Sequence, residues 1–308
     1  MNFPDELKFI ENRNAIQKTT DAKLTGKTCV ISGATSGVGL SAIHRLAEEG
    51  AALVLIARNK EKAEALVREL QGITDQPVSF YLADFSLLSD VRAVAEAISK
   101  DHPVIDILIN SAGMHSTKRI LTKEGNEQVF CVNHLAPFLL TNLLVDNLLR
   151  SPQARIIQVN SEGHRFSTVH PNDLNWQHHH YTGLRGYGAS KTAQLLCVWE
   201  LADRLSATNV TVNAMHPGDV RTNIGSNNGK LYNWFLHHVT WMVLKDAAIS
   251  GEALYYLAAA QELKKVSGKF FHLTIEEKPA RHATDRALGR LIWEKSIDLT
   301  GLSDLQFL

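Results

Sequence analysis

The sequence has no long hydrophobic run. Its nearest candidate, LYNWFLHHVTWMVL at residues 231–244, falls short of the ~20 apolar residues a membrane span needs and is broken by His237 and His238. It reads as a semi-exposed amphipathic element. The first 24 residues, MNFPDELKFIENRNAIQKTTDAKL, are charged throughout and lack the apolar centre of a secretory signal. Cysteine is scarce: Cys29, Cys131 and Cys197 sit in apolar-periodic segments, with no CxxC pair. So odd and scattered a set excludes a disulfide framework and fits a reducing compartment. Net charge is also missing, since 32 Lys+Arg balance 32 Asp+Glu with no basic block. That speaks against nucleic acid as a partner. Neither a Pro/Gly/Ser-rich linker nor an internal repeat divides the chain. What remains is a cytoplasmic globular protein of ordinary composition, 44% apolar and 21% charged. It reads as one domain over residues 25–308, preceded by an extension at 1–24.

Short apolar runs alternate with helical patterns. The runs are TCVISG (28–33), ALVLIA (52–57), VSFYLAD (78–84), IDILINSAG (105–113), ARIIQVNS (154–161), VTVNAMHPG (210–218) and KFFHL (269–273). The intervening segments, such as KAEALVRELQ and KTAQLLCVWELADRL, place apolar residues three and four apart. Strands without strict alternation, separated by helices, predict a parallel sheet covered on both faces. The fold class is therefore α/β, a doubly wound Rossmann-type domain with about seven parallel strands.

The first strand runs into Gly33-Ala34-Thr35-Ser36-Gly37-Val38-Gly39, and a helix follows. Glycines let the backbone turn sharply and come close to a pyrophosphate, which then meets the positive end of the helix. Strand before and helix after make this turn a dinucleotide site rather than an ordinary tight turn. An Asp or Glu about 20 residues on would mark NAD. Here the second strand ends in Arg58-Asn59-Lys60, without an acid. A guanidinium at that edge pairs with a 2′-phosphate, so the expected cofactor is NADP(H). Asp84 and Phe85 close the third strand, and Asn110, Ala112 and Gly113 close the fourth. All face the crevice at the carboxyl edge of the sheet. Asp84 either accepts from adenine or caps the next helix.

At the same edge, Ser161 follows the fifth strand and Tyr187 opens a long helix in the stretch YGASK. Tyr187 and Lys191 are one helical turn apart and share a face. A phenol has a pKa of about 10, and a neighbouring cation lowers it. Ser161 is placed to donate to an oxygen on which negative charge develops. The three suit hydride transfer between nicotinamide and a carbonyl or alcohol carbon, with Tyr187 passing the proton. Loops 162–186 and 219–245 shape the substrate site. His178-His179-His180 in the first has no carboxylate or cysteine partner at ligand spacing, so no metal site is expected.

The markers SGATSGVG, NSAG, VNHL, Ser161, YGASK and HPGDVRT together resemble the short-chain dehydrogenase/reductase family over residues 25–300. VNHLAPFLLTNLL, the insertion ending in DLNW, and VSGKFF resemble its retinol dehydrogenase-like branch. The resemblance implies a catalytic tetrad of Asn133, Ser161, Tyr187 and Lys191. In it Asn133 holds a water that links Lys191 to solvent. Pro217, Gly218, Val220 and Thr222 would line the nicotinamide side. The implied substrate is a small hydrophobic carbonyl or alcohol, and pairing through the long helices near Asn126 and Tyr187 would give a homodimer or homotetramer. Glu162, an acid beside Ser161, faces either substrate or solvent. Two other readings fit parts of this set. A light-dependent tetrapyrrole double-bond reductase shares the tyrosine and lysine but finds only weak support in Cys131 and Cys197. A non-catalytic NADP(H)-binding regulator is disfavoured because all four tetrad positions are filled.

Overall fold

The computed structural model describes residues 12, 15–218 and 248–303. Val220, Thr222 and the apolar stretch 231–244 lie outside the described residues.

Each predicted run forms a strand: β1 (Thr28–Ser32), β2 (Ala52–Ala57), β3 (Val78–Leu82), β4 (Ile107–Asn110), β5 (Ala154–Val159), β6 (Val210–His216) and β7 (Lys269–His272). They pair in parallel in the order β3-β2-β1-β4-β5-β6-β7. An eighth strand, β8 (Ile275–Glu276), adds antiparallel to β7 and brings the sheet to eight. At two residues β8 is too short to show any periodicity, which is why the sequence pattern stops at seven. The strands carry apolar side chains on both faces because helices cover both. In β1, Cys29 and Ile31 enter one core and Val30 the other.

On the first face lie α1 (Gly37–Glu48), α2 (Lys60–Leu70) and, later in the chain, α8 (Ala248–Ala259). On the second lies α3 (Leu88–Asp101), then α4 (Gln128–Phe130), which continues through a π-helical turn at Cys131–Leu135 into α5 (Ala136–Leu143). A short α6 (Val145–Leu149) leads to β5, and α7 (Gly183–Arg204) and α9 (Arg286–Thr300) complete that face.

The long helix α7 is buried on nearly every side, because the sheet takes one face and α9 the other. Trp293 of α9 meets Phe138 of α5 edge-on at 4.8 Å and carries the Arg204 guanidinium over its ring at 4.2 Å. The α5–α7 face on which subunit pairing was expected is thus occupied by α9 of the same chain. The segment before β1 also joins the body: Thr274 beyond β7 donates through N and Oγ1 to Gln17 Oε1, at 3.1 and 2.8 Å, and accepts from Lys18 N at 2.7 Å.

Strand order reverses between β1 and β4, and this opens a crevice at their carboxyl ends. The glycine turn leaves β1 on one side of it and Ser111–Gly113 leaves β4 on the other.

Candidate active site

Gly33 and Gly37 both hold positive φ, 72° and 54°, which L side chains rarely adopt. Gly39 sits so close to the turn that a Cβ there would lie 2.3 Å from the Gly33 carbonyl oxygen. Only bare backbone fits, and it leads into the start of α1. These are the features a pyrophosphate needs, so the residues present fit a dinucleotide. A cavity of about 730 Å³ runs from this turn across the crevice. Gly33, Thr35, Ser36, Gly37, Val38 and Gly39 form one wall, and Arg58, Asp84 and Phe85 one end. Ala112 and Gly113 face the glycines, while Ser161, Tyr187, Lys191, Pro217 and Gly218 close the far end.

At that far end β5 delivers Ser161 and α7 delivers Tyr187 and Lys191. Thr182 caps α7, accepting from Arg185 N at 3.2 Å. Tyr187 is half-buried, with His115 edge-on to its ring at 5.7 Å. Lys191 is buried; its Nζ donates to Val159 O at 2.9 Å and lies 5.9 Å from the Tyr187 ring centre. Burial pushes the phenol up from its ordinary value, and its hydrogen bond with the Ser161 side chain pulls it back. Burial also draws the Lys191 ammonium down to about 7. The sequence led us to expect a phenol lowered by the lysine. In the structure desolvation sets the direction for both groups.

Asn160, the residue before Ser161, fixes this corner. Its Nδ2 donates to Lys191 O and Gln194 Oε1 at 2.9 and 2.8 Å, and its Oδ1 accepts from Ser161 N at 2.8 Å. Asn133 sits on the π-helical turn behind the cleft rather than in its lining. Its Oδ1 accepts from Met114 N at 2.7 Å, and its Nδ2 donates to Met114 O and Ser190 Oγ at 3.0 Å each. Its own carbonyl accepts from Gln194 Nε2 at 3.0 Å. Asn133 therefore clamps the loop after β4 onto α7.

Several other sequence assignments change. Asn59 is not in the cleft lining; its Oδ1 accepts from Lys62 N at 2.8 Å and caps α2. Asn110 is buried beneath the cleft and donates to Thr141 Oγ1 at 2.9 Å, so Ser111 is the polar residue of that run that lines it. Asp84 lines the cleft and accepts from Ser86 N at 2.9 Å, but Glu124 caps α3 instead, taking Leu88 N and Ser89 N at 2.6 and 3.1 Å. Glu162 faces neither substrate nor solvent: it is buried against Arg165. Burial, with Glu277 beside it, pushes its carboxyl up. Cys131 and Cys197 are buried outside the cleft lining, so the cysteines lend the tetrapyrrole reading nothing there. In the loop 162–186, Asp173 accepts from the backbone N–H of Gln177, His178 and His179 and from the His179 ring. The loop is thereby folded around a buried carboxylate, with His178 and His180 exposed.

Sequence reasoning also missed Gly163. Its N–H donates to Ser161 Oγ at 3.1 Å, and a Cβ on it would lie 2.7 Å from Tyr187 Cε1. The only signal was a glycine two residues after Ser161. Met114, Ser116, Ile120 and Gln128, none of them in a motif, also line the cleft, as does Val132 of the VNHL run.

A family model described as short chain dehydrogenase matches residues 27–232. The chain belongs to the short chain dehydrogenase family. This dehydrogenase is 37% identical to human Retinol dehydrogenase 13 over 286 residues, covering 91% of its own chain and 86% of that relative. Human Retinol dehydrogenase 14 is 35% identical over 293 residues, with 90% and 87% covered. Bovine Dehydrogenase/reductase SDR family member 13 is 36% identical over 299 residues, with 91% and 75% covered. These similarities place the chain in the retinol dehydrogenase-like branch. Among solved structures, an uncharacterized protein of Mycobacterium paratuberculosis superposes with a TM-score of 0.76 at 28% identity, covering 94% of this chain and 99% of that one. A short chain dehydrogenase of Shigella flexneri complexed with NADP shares the fold, with a TM-score of 0.67 at 22% identity and coverage of 82% and 99%.

Proposed function

We propose that this short chain dehydrogenase is NADP(H)-dependent and interconverts a hydrophobic carbonyl compound and its alcohol. The observation that carries the reading is one cleft with the glycine turn and Arg58 at one end and Ser161, Tyr187 and Lys191 at the other. A nicotinamide held there supplies the hydride in reduction and accepts it in oxidation. Tyr187 gives its proton to the substrate oxygen in reduction and takes it in the reverse direction. Ser161, already bonded to the phenol, orients that oxygen and stabilises charge on it. Lys191 in its charged form stabilises the phenolate left behind. Val132, Met114 and Ile120 give the cleft an apolar border suited to a hydrophobic substrate.

The direct test mixes the protein with NADPH and a carbonyl panel that includes retinal, chosen because the similar human proteins are named retinol dehydrogenases, and follows nicotinamide absorbance. Tight NADPH binding without turnover of any member would favour a non-catalytic regulator.

Arg58 is exposed at the end of β2 and borders the cleft. A bond from its guanidinium to a 2′-phosphate would be charge-assisted. Arg58→Asp is therefore expected to move the NADPH-to-NADH ratio of kcat/KM toward NADH by roughly 10- to 100-fold. An unchanged ratio assigns the 2′-phosphate to another group.

Lys191 also sets a pH dependence. With its pKa drawn down to about 7, the ammonium is charged below that pH and neutral above it. Reduction needs the charged form, so its kcat is expected to fall as pH rises through about 7, approaching tenfold per unit. A profile flat to pH 9 removes Lys191 charge from the proton step.

A further inference from the structure

A buried polar cluster lies below the catalytic serine, and the hydride step does not use it. β6 and β7 end side by side at His216 and His272, which are register partners with rings edge-on at 5.1 Å. Glu162, the first residue of the turn after Ser161, faces them. The three are 5%, 5% and 7% exposed respectively. They come from distant parts of the chain, so no spacing in the sequence groups them. One nitrogen or oxygen from each lies within 4.8 Å of the others. Glu162 Oε1 and His216 Nδ1 are buried without a hydrogen-bond partner.

Among the neighbours of this point, Glu277 Oε2 lies 3.7 Å from His272 Nδ1. Glu162 meets the Arg165 side chain through Oε2, away from Oε1. Arg165 spends its other side on Glu277 Oε1 at 2.7 Å and Lys278 O at 2.9 Å. His164 is committed at both nitrogens, to Ser161 O at 2.7 Å and to Ala280 N at 3.0 Å. Two carboxylates, Glu162 and Glu277, stand against one guanidinium. Two imidazoles and a carboxylate are a donor set that suits zinc, at ligand distances of about 2.0–2.2 Å with a fourth position for water. His216 also borders the cleft, which gives an ion a way in.

We propose that Glu162, His216 and His272 form a zinc-class divalent metal site that ties the Ser161 turn to the ends of β6 and β7. The ion is structural and takes no part in the transfer of hydride or proton. The reading is independent of cofactor and substrate.

The experiment uses the full chain, stripped with a chelator and dialysed against micromolar zinc chloride. One zinc per chain is expected, with a rise in Tm that saturates at one equivalent. His216→Ala is expected to lose both. Since that variant removes a buried ring and could unfold, cobalt(II) titrated into the wild type gives a second measure. One equivalent in the buried site should produce the strong visible bands of a low-coordinate ion. Weak bands, or no retained zinc, overturn the proposal. The exposed His178 and His180 are the obvious rival. A double variant with both changed to Ala should bind zinc as the wild type does, and loss of the bound metal there assigns it to the surface loop and ends the proposal.

Discussion

Tyr187→Phe is expected to lower carbonyl turnover by a hundredfold to ten-thousandfold, the range set by loss of one general acid. The change removes one oxygen and leaves the ring. The ring's packing on Gly163 and its edge contact with His115 persist, so the cleft keeps its shape. The glycine turn at the other end of the cavity is untouched, and the Kd for NADPH should stay within about threefold of wild type. The separation of these two effects is the test. Single-turnover reduction read against fluorescence-monitored NADPH binding measures both. Turnover retained within tenfold would take the phenol out of the proton step, and loss of cofactor binding would mean that the ring, rather than its hydroxyl, was what mattered. The same variant removes the buried hydroxyl whose pKa burial pushes up, so any residual rate should no longer carry a phenol ionisation.

The sheet was legible in the sequence because parallel strands buried on both faces leave continuous apolar runs. ALVLIA at 52–57 became β2 as written, and KFFHL at 269–273 became β7 over Lys269–His272. The glycine turn was legible because positive φ at Gly33 and Gly37 and the close approach at Gly39 demand glycine. Ser161, Tyr187 and Lys191 could be found because each sits just beyond a recognisable strand or at the start of a helix. Side-chain partners were not legible. Asn59, Asn110 and Asn133 carry the same amide, yet one caps a helix, one is buried on Thr141 and one clamps a loop. Nothing local distinguishes those fates, since each depends on which backbone group tertiary packing brings within 3 Å. Glu162 illustrates the same limit. Its guanidinium partner is three residues away, but its histidine neighbours arrive on β6 and β7. The covering of α7 by α9 was invisible for a related reason: an apolar helix face looks alike whether a second subunit or the chain's own C-terminal helix lies on it.

Gly163→Ala is expected to cost at least a hundredfold in kcat while leaving NADPH affinity nearly unchanged. The added methyl would lie 2.7 and 2.8 Å from Tyr187 Cε1 and Cδ1 and 3.4 Å from Ser161 Oγ. Carbon atoms do not approach so closely, so one of the two must yield. The turn cannot yield easily. Ser161 O holds the His164 ring at 2.7 Å, and Arg165 anchors the next residues to Glu277 and Lys278. Neither can α7, locked by Asn160 on the carbonyl of Lys191 and by α9 behind it. The phenol ring is what remains free to move, and a displacement near 1 Å from the reacting oxygen is enough for a hundredfold loss. Because Gly163 lies at the proton end of the cavity, the pyrophosphate cradle at Gly33–Gly39 should not register the change. Steady-state kcat alongside NADPH titration decides it: unaltered kcat would show that the turn relaxes without moving Tyr187, and the rigid coupling of the Ser161 turn to α7 would have to be abandoned.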